Sequence, residues 1–200
     1  LGGGWSFRRN LTTAAEQGSF FEVVDTGGAW DVALVCGATM ITRDTWRSLK
    51  ERGPVVLRID GIPEDHRNRG TGWPRLRDFA HEADAVIYQS RFSERTVGRV
   101  LGRTGAVIVN GVDTSIFTPD GPKLVSFGSP AILCVNFRDD ENKRVMETIV
   151  RFREFKTYHP GATLTFVGQY PRYLREWKFL MLDWVQDRDW RYLGILPNRK

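Results

Sequence analysis

Cysteine is scarce in this chain, which has only Cys36 and Cys134 among its 200 residues. The two lie far apart in strand-like apolar runs and lack metal-ligand spacing. Buried free thiols in a reducing compartment are therefore the expectation. Long hydrophobic runs are missing too: none approaches the roughly 20 residues that cross a bilayer, so no transmembrane segment is expected. The opening Leu1-Gly2-Gly3-Gly4 lacks the basic head and apolar core of a signal peptide. Together these absences predict a cytoplasmic chain. Histidine is limited to His66, His81 and His159, and no Ser/His/Asp arrangement for nucleophilic catalysis is legible. Internal repeats and low-complexity tracts are absent as well.

What is present is ordinary for a globular chain: 41% hydrophobic and 26% charged residues, enough for one large domain or two small ones. The net charge of +5 favours an anionic partner. It does not choose among nucleotide phosphates, lipid head groups and nucleic acid, and it leaves room for a peripheral position at a membrane surface.

The hydrophobic pattern alternates strands with helices. Phe20–Val24, Asp31–Cys36 and the run VVLRI at Val55–Ile59 read as strands. Thr42 can cap a helix over Thr42–Arg52 that Gly53-Pro54 ends, and a further helix is expected over Trp73–Ala83. Between them, residues 64–73 form a polar, positively charged loop with Arg67, Arg69 and His66. The second half offers a strand at Ala131–Phe137, an acidic run at 139–141 opening a long helix to about Tyr158, and a strand at Thr163–Val167. A helix over Tyr173–Val185 and a strand at Trp190–Leu193 complete it. Strand, helix and strand in succession is the repeat of a parallel α/β sheet.

One stretch is more specific than the pattern. From Ala83 the chain reads ADAVIYQSRFSERTVGRVLGRTGAVIVNGVDTSIFTP, ending at Pro119. It holds a strand at Ala85–Tyr88, a helix Phe92–Leu101 stopping at Gly102, and a strand at Ala106–Val109. That strand delivers Asn110-Gly111, a pair that predicts a tight change of direction. The string VIVNGVDTSIFTP, preceded by DAVIYQSRFS, resembles the junction between the two domains of retaining GT-B glycosyltransferases, especially glycosyltransferase family 4. The resemblance implies two Rossmann-like lobes with parallel sheets, an acceptor-side lobe over 1–118 and a shortened nucleotide-sugar-binding lobe over 119–200.

Site residues follow from that resemblance position by position. Gly3 and Gly4, before a helix expected from Trp5, correspond to a loop beside the donor diphosphate. By composition alone they are equally a frayed terminus. Asp60, delivered by VVLRI to the sheet's carboxyl edge, stands where family members often place a histidine. It carries over an acceptor-side polar role but not the histidine's chemistry. Arg138 and Lys143, flanking the start of the long helix, correspond to a cationic clamp on the pyrophosphate, and Leu196 to a neighbour of the base. No metal is implied. Asp187-Arg188-Asp189 spells the Asp-x-Asp of metal-dependent transferases, but its place between a helix and a strand start predicts a surface turn.

The departures are as informative as the matches. The family's first strand would precede Leu1, and its pair of glutamates eight positions apart has no counterpart: Glu147 and Glu154 are seven apart in one helix. The expected function is retaining transfer of a sugar from a UDP- or GDP-sugar to an acceptor hydroxyl, by a metal-independent enzyme with no cofactor beyond its donor substrate. The acceptor is left open among lipid head group, polysaccharide and nucleic acid. A nucleotide-sugar epimerase of the same fold and a non-catalytic nucleotide-binding module are the alternatives.

Overall fold

The computed structural model describes residues 3–18, 20–25, 27–63, 71–114, 117–121, 128–136, 144–168 and 190–196. The chain is α/β, with two parallel sheets in two compact units, Leu1–Val112 and Asp113–Lys200. The division falls six residues before the expected 118/119 boundary, inside the NGVD string.

The first unit opens with α1 (Gly3–Gly18), then alternates β1 (Ala33–Cys36), α2 (Arg43–Arg52), β2 (Val55–Ile59), α3 (Gly72–Glu82) and β3 (Ala85–Tyr88). A helical stretch over 91–101, α4, follows and leads to β4 (Ala106–Val107). The strands lie in chain order, β1-β2-β3-β4, all parallel. That order has a consequence. Crossovers of one hand that step in one direction lay their helices on the same face of a sheet. Trp46 and Leu49 of α2, Leu76, Phe79 and Ala80 of α3, and Val97 and Leu101 of α4 accordingly share one core. The sheet contributes Val35, Val55, Leu57, Ile59, Val86 and Tyr88 to it. On the opposite face Leu34 and Ala85 are exposed, and Cys36 and Ile87 half-buried.

Local chemistry sets the helix ends. Thr42 caps α2, its hydroxyl oxygen accepting from the Thr45 amide, and Ser90 does the same for α4 through the Ser93 amide. Midway, α4 widens into a π turn at Glu94–Gly98, and it ends on Gly102 in the left-handed region. Gly105 is dictated by crowding: a Cβ there would sit 2.3 Å from the Val86 carbonyl oxygen. Phe20–Val24, expected as a strand, joins neither sheet among the described residues and exposes Phe20. A short apolar run without a ladder partner does not become a strand.

The second unit is smaller. Its strands β5 (Ala131–Asn136), β6 (Thr163–Gly168) and β7 (Trp190–Tyr192) are parallel and in chain order, with α5 (Val145–Tyr158) between the first two. Val145, Ile149 and Phe152 of α5 pack on Ala162, Leu164 and Phe166, with Ile132 and Cys134 alongside. Leu133 and Val135, on the other face of β5, are exposed. The helix expected at Tyr173–Val185 lies outside the described residues.

Two expectations follow for stability. Trp46 is buried, stacks on Phe79 at 4.4 Å between ring centroids and donates its indole N–H to Glu82 at 2.8 Å. Trp46→Ala should cost about 3–5 kcal/mol, read as a lower denaturant midpoint for the first unit. Asp84 accepts from the Lys50 ammonium and from the Val55 amide, which holds its carboxyl below the ordinary value. The stability it adds is present above the unfolded pKa and lost as pH falls through the lower folded one. Asp84→Asn should therefore lower stability at neutral pH and flatten the acid limb of a pH–stability profile.

Candidate functional site

The strand VVLRI places Val55, Leu57 and Ile59 in the core and turns Arg58 to the opposite face. Arg58 is nevertheless only 5% exposed. A buried guanidinium is costly unless charge and hydrogen bonds meet it, and three successive strand ends supply the partners. Asp60, just past β2, forms an ion pair with Arg58 through Oδ1. Gln89, just past β3, accepts from the guanidinium at 3.4 Å. Asn110, beyond β4, accepts through Oδ1 at 2.7 Å. The Phe7 ring of α1 covers the guanidinium at 4.2 Å.

The partners also hold one another. The Gln89 side-chain amide donates to the Asp60 main-chain carbonyl, and Asn110 Nδ2 donates to Gln89 Oε1 at 3.4 Å. Asn110 arrives because the Ile108 amide donates to the Tyr88 carbonyl at 2.9 Å, carrying the β3–β4 pairing past the end of β4. Neither Asn110 nor Gly111 takes a positive φ. The tight Asn-Gly turn expected here is not made, and the asparagine side chain binds Arg58 instead.

The Asp60 side chain remains 38% exposed at this edge. Burial raises its carboxyl above the ordinary range, and the Arg58 guanidinium opposes the rise without cancelling it. Cys36 is the β1 neighbour of Arg58 in register. Burial, and then the Asp60 charge, push its thiol up, against Arg58. Cys36 is thus a protonated, half-buried thiol rather than an activated nucleophile. Cys134, expected buried, is likewise half-buried and raised by burial.

The remaining sequence candidates fall elsewhere. Gly3 and Gly4 form the first turn of α1 rather than a loop before it, so the helix begins two residues earlier than expected. Leu196 is exposed in the second unit, two residues past Gly194, whose carbonyl accepts from Gly168. Arg138 and Lys143 lie outside the described residues, as do His66, Arg67, Arg69 and the Asp187–Asp189 triplet. The helix they were expected to flank begins at Val145, after Arg144 in a left-handed conformation, and its first-turn acid is Glu147 rather than the 139–141 run. Glu147 and Glu154 pair with Arg144 and Arg151. His81 is exposed on α3, and His159 stacks on Phe155 at 4.3 Å. Among the described residues, no three His, Cys, Asp or Glu side chains gather to hold a metal, and no helix is long and apolar enough to cross a membrane.

Arg58 was not singled out from the sequence, although its signal was there. A charged residue inside an otherwise aliphatic strand must be paired or carry a function.

Compared with known proteins, the chain matches no family model and no curated protein.

The raised Asp60 carboxyl has a testable sign. Between its unfolded value near 3.8 and its higher folded one, the folded chain holds the extra proton. The associated stability is complete below the unfolded value and is lost as pH rises through the folded one. Asp60→Asn should remove this descending segment from a pH–stability profile, in contrast to the acid limb governed by Asp84.

Proposed function

We propose that the chain is a retaining, GT-B-like glycosyltransferase of the family 4 type, transferring a sugar from a UDP- or GDP-sugar to an acceptor hydroxyl. The observation that carries this reading is the place of the NGVD string. Its asparagine binds the same buried arginine as Asp60, at the carboxyl edge of a parallel sheet, where open α/β sheets receive their ligands. The string VIVNGVDTSIFTP supports the family assignment, and the two parallel-sheet units support two Rossmann-like lobes.

In this reading Asp60 receives the acceptor hydroxyl as a hydrogen-bond acceptor and takes part in relaying its proton. Arg138 and Lys143, with the helix dipole at the start of α5, neutralise charge developing on the departing diphosphate. The resemblance assigns Gly3 and Gly4 to the donor phosphates and Leu196 to the base. No step calls for a metal. Glu147 and Glu154, seven apart, pair with Arg144 and Arg151 and do not stand in for the family's acidic pair. The second reading is a module that binds nucleotide without turnover.

The experiment is a panel of UDP- and GDP-sugars offered with hydroxyl acceptors, with released diphosphate and product anomers measured. The expected result is slow release with retained anomeric configuration, lowered roughly 100-fold or more in Asp60→Asn. Calorimetry should show a nucleoside diphosphate bound in preference to NAD, and more weakly by Lys143→Met. Tight NAD binding with no diphosphate binding overturns the proposal. Diphosphate binding without turnover, across donors and acceptors, selects the binding module.

A further inference from the structure

The network around Arg58 bears on what the edge can receive. Among the described residues the guanidinium's polar contacts are Asp60 Oδ1, Gln89 Oε1 and Asn110 Oδ1, with Phe7 across its face. With the side chain buried, its charge presents little surface to a ligand. What the cluster leaves at the surface is the partly exposed Asp60 carboxyl, held through Oδ1, and the exposed Asn110. Gly61 next to it has open space where a Cβ would stand. A hydroxyl can donate to such a carboxylate, whereas a phosphate or carboxylate would meet like charge, and among the described residues the one cation in contact with Asp60, Arg58, is already paired.

We infer that Arg58 is a positioning residue that holds Asp60 by one oxygen and so makes it the receiver for a hydroxyl of a neutral, hydroxyl-rich acceptor. The inference rests on the transfer reading only in calling the ligand an acceptor. It narrows the acceptors left open by the sequence, disfavouring an anionic group at this edge. Three contacts make the holding specific. The planar fork reaches residues from three strand ends at once, which a lysine ammonium cannot reproduce. Among the described residues, the charged and titratable groups that face Asp60 are Arg58 on its own strand and Cys36 on β1; Gln89, Asn110 and Phe7, from the neighbouring elements, are neutral.

The test uses the full chain with carboxyl-13C aspartate, the Asp60 resonance being assigned by its loss in Asp60→Asn. The probes are methyl glucoside, methyl mannoside and methyl galactoside, set against the 6-phosphates of the same sugars. At least one neutral glycoside should shift the Asp60 resonance, and the matching phosphate should shift it less. Arg58→Met should move the Asp60 titration further up and weaken glycoside binding about tenfold or more, the scale of a lost hydrogen bond to a charged group. Arg58→Lys should return the titration toward wild type while recovering binding only in part. Should Arg58→Met fail to fold, Asn110→Ala removes one anchor of the guanidinium and gives the same readings at smaller amplitude. A stronger response to phosphates, no response to any glycoside, or an unmoved titration in the folded variants overturns the inference. The titration needs no turnover, so the two readings separate. Its movement without consumption of any nucleotide sugar sinks the transfer reading alone, and turnover with an unmoved titration sinks the role of Arg58 alone.

Discussion

Burying one positive charge organises the carboxyl edge of the first sheet. Arg58 sits in a strand whose other face is aliphatic core, and its guanidinium has almost no access to water. Desolvating that charge is tolerable only with a counter-ion and further acceptors in reach. Asp60 supplies the counter-ion two residues along, while Gln89 and Asn110 come from strands whose register brings their ends level with it. The same demand fixes the first residues of the segment that leaves the unit. Asn110 is therefore anchored by its side chain, where an Asn-Gly pair ordinarily turns the backbone.

Strand order makes this edge matter. Because β1 to β4 step in one direction, α2, α3 and α4 cover a single face and build a core with Trp46 and Phe79 stacked at its centre. On the other face, Phe7 of α1 packs over Arg58. A parallel sheet is most stable with both faces covered, and here the second face combines apolar residues with one neutralised charge. Arg58 can be buried on that face because its partners come from the strand ends rather than from a helix above it.

The second unit follows the same plan at a smaller scale. Among the described residues, α5 packs on one face of the parallel sheet, and Leu133 and Val135 on the other face of β5 are exposed. Its helix begins after a left-handed Arg144 whose side chain does not cap it. A helix start of that kind suits an anion, and the diphosphate clamp in the proposed reaction draws on that property.

The sequence by itself determined the alternation of strands and helices, because period and breaker residues are local properties. VVLRI, AVIY and AILCVN could only be strands of a buried sheet, and Thr42, Gly53 and Gly102 mark helix ends through their own backbone and side-chain chemistry. It also placed Asp60 at the sheet's edge, since a residue directly after a parallel strand has nowhere else to be. Strand order, the failure of Phe20–Val24 to pair and the partners of Arg58 were decided only by the tertiary structure. Each depends on residues tens of positions apart meeting in register: Asp60, Gln89 and Asn110 come within reach of one guanidinium only once three strands are aligned. The arginine was visible as an anomaly in an apolar run, but what neutralises it is a property of the assembled sheet.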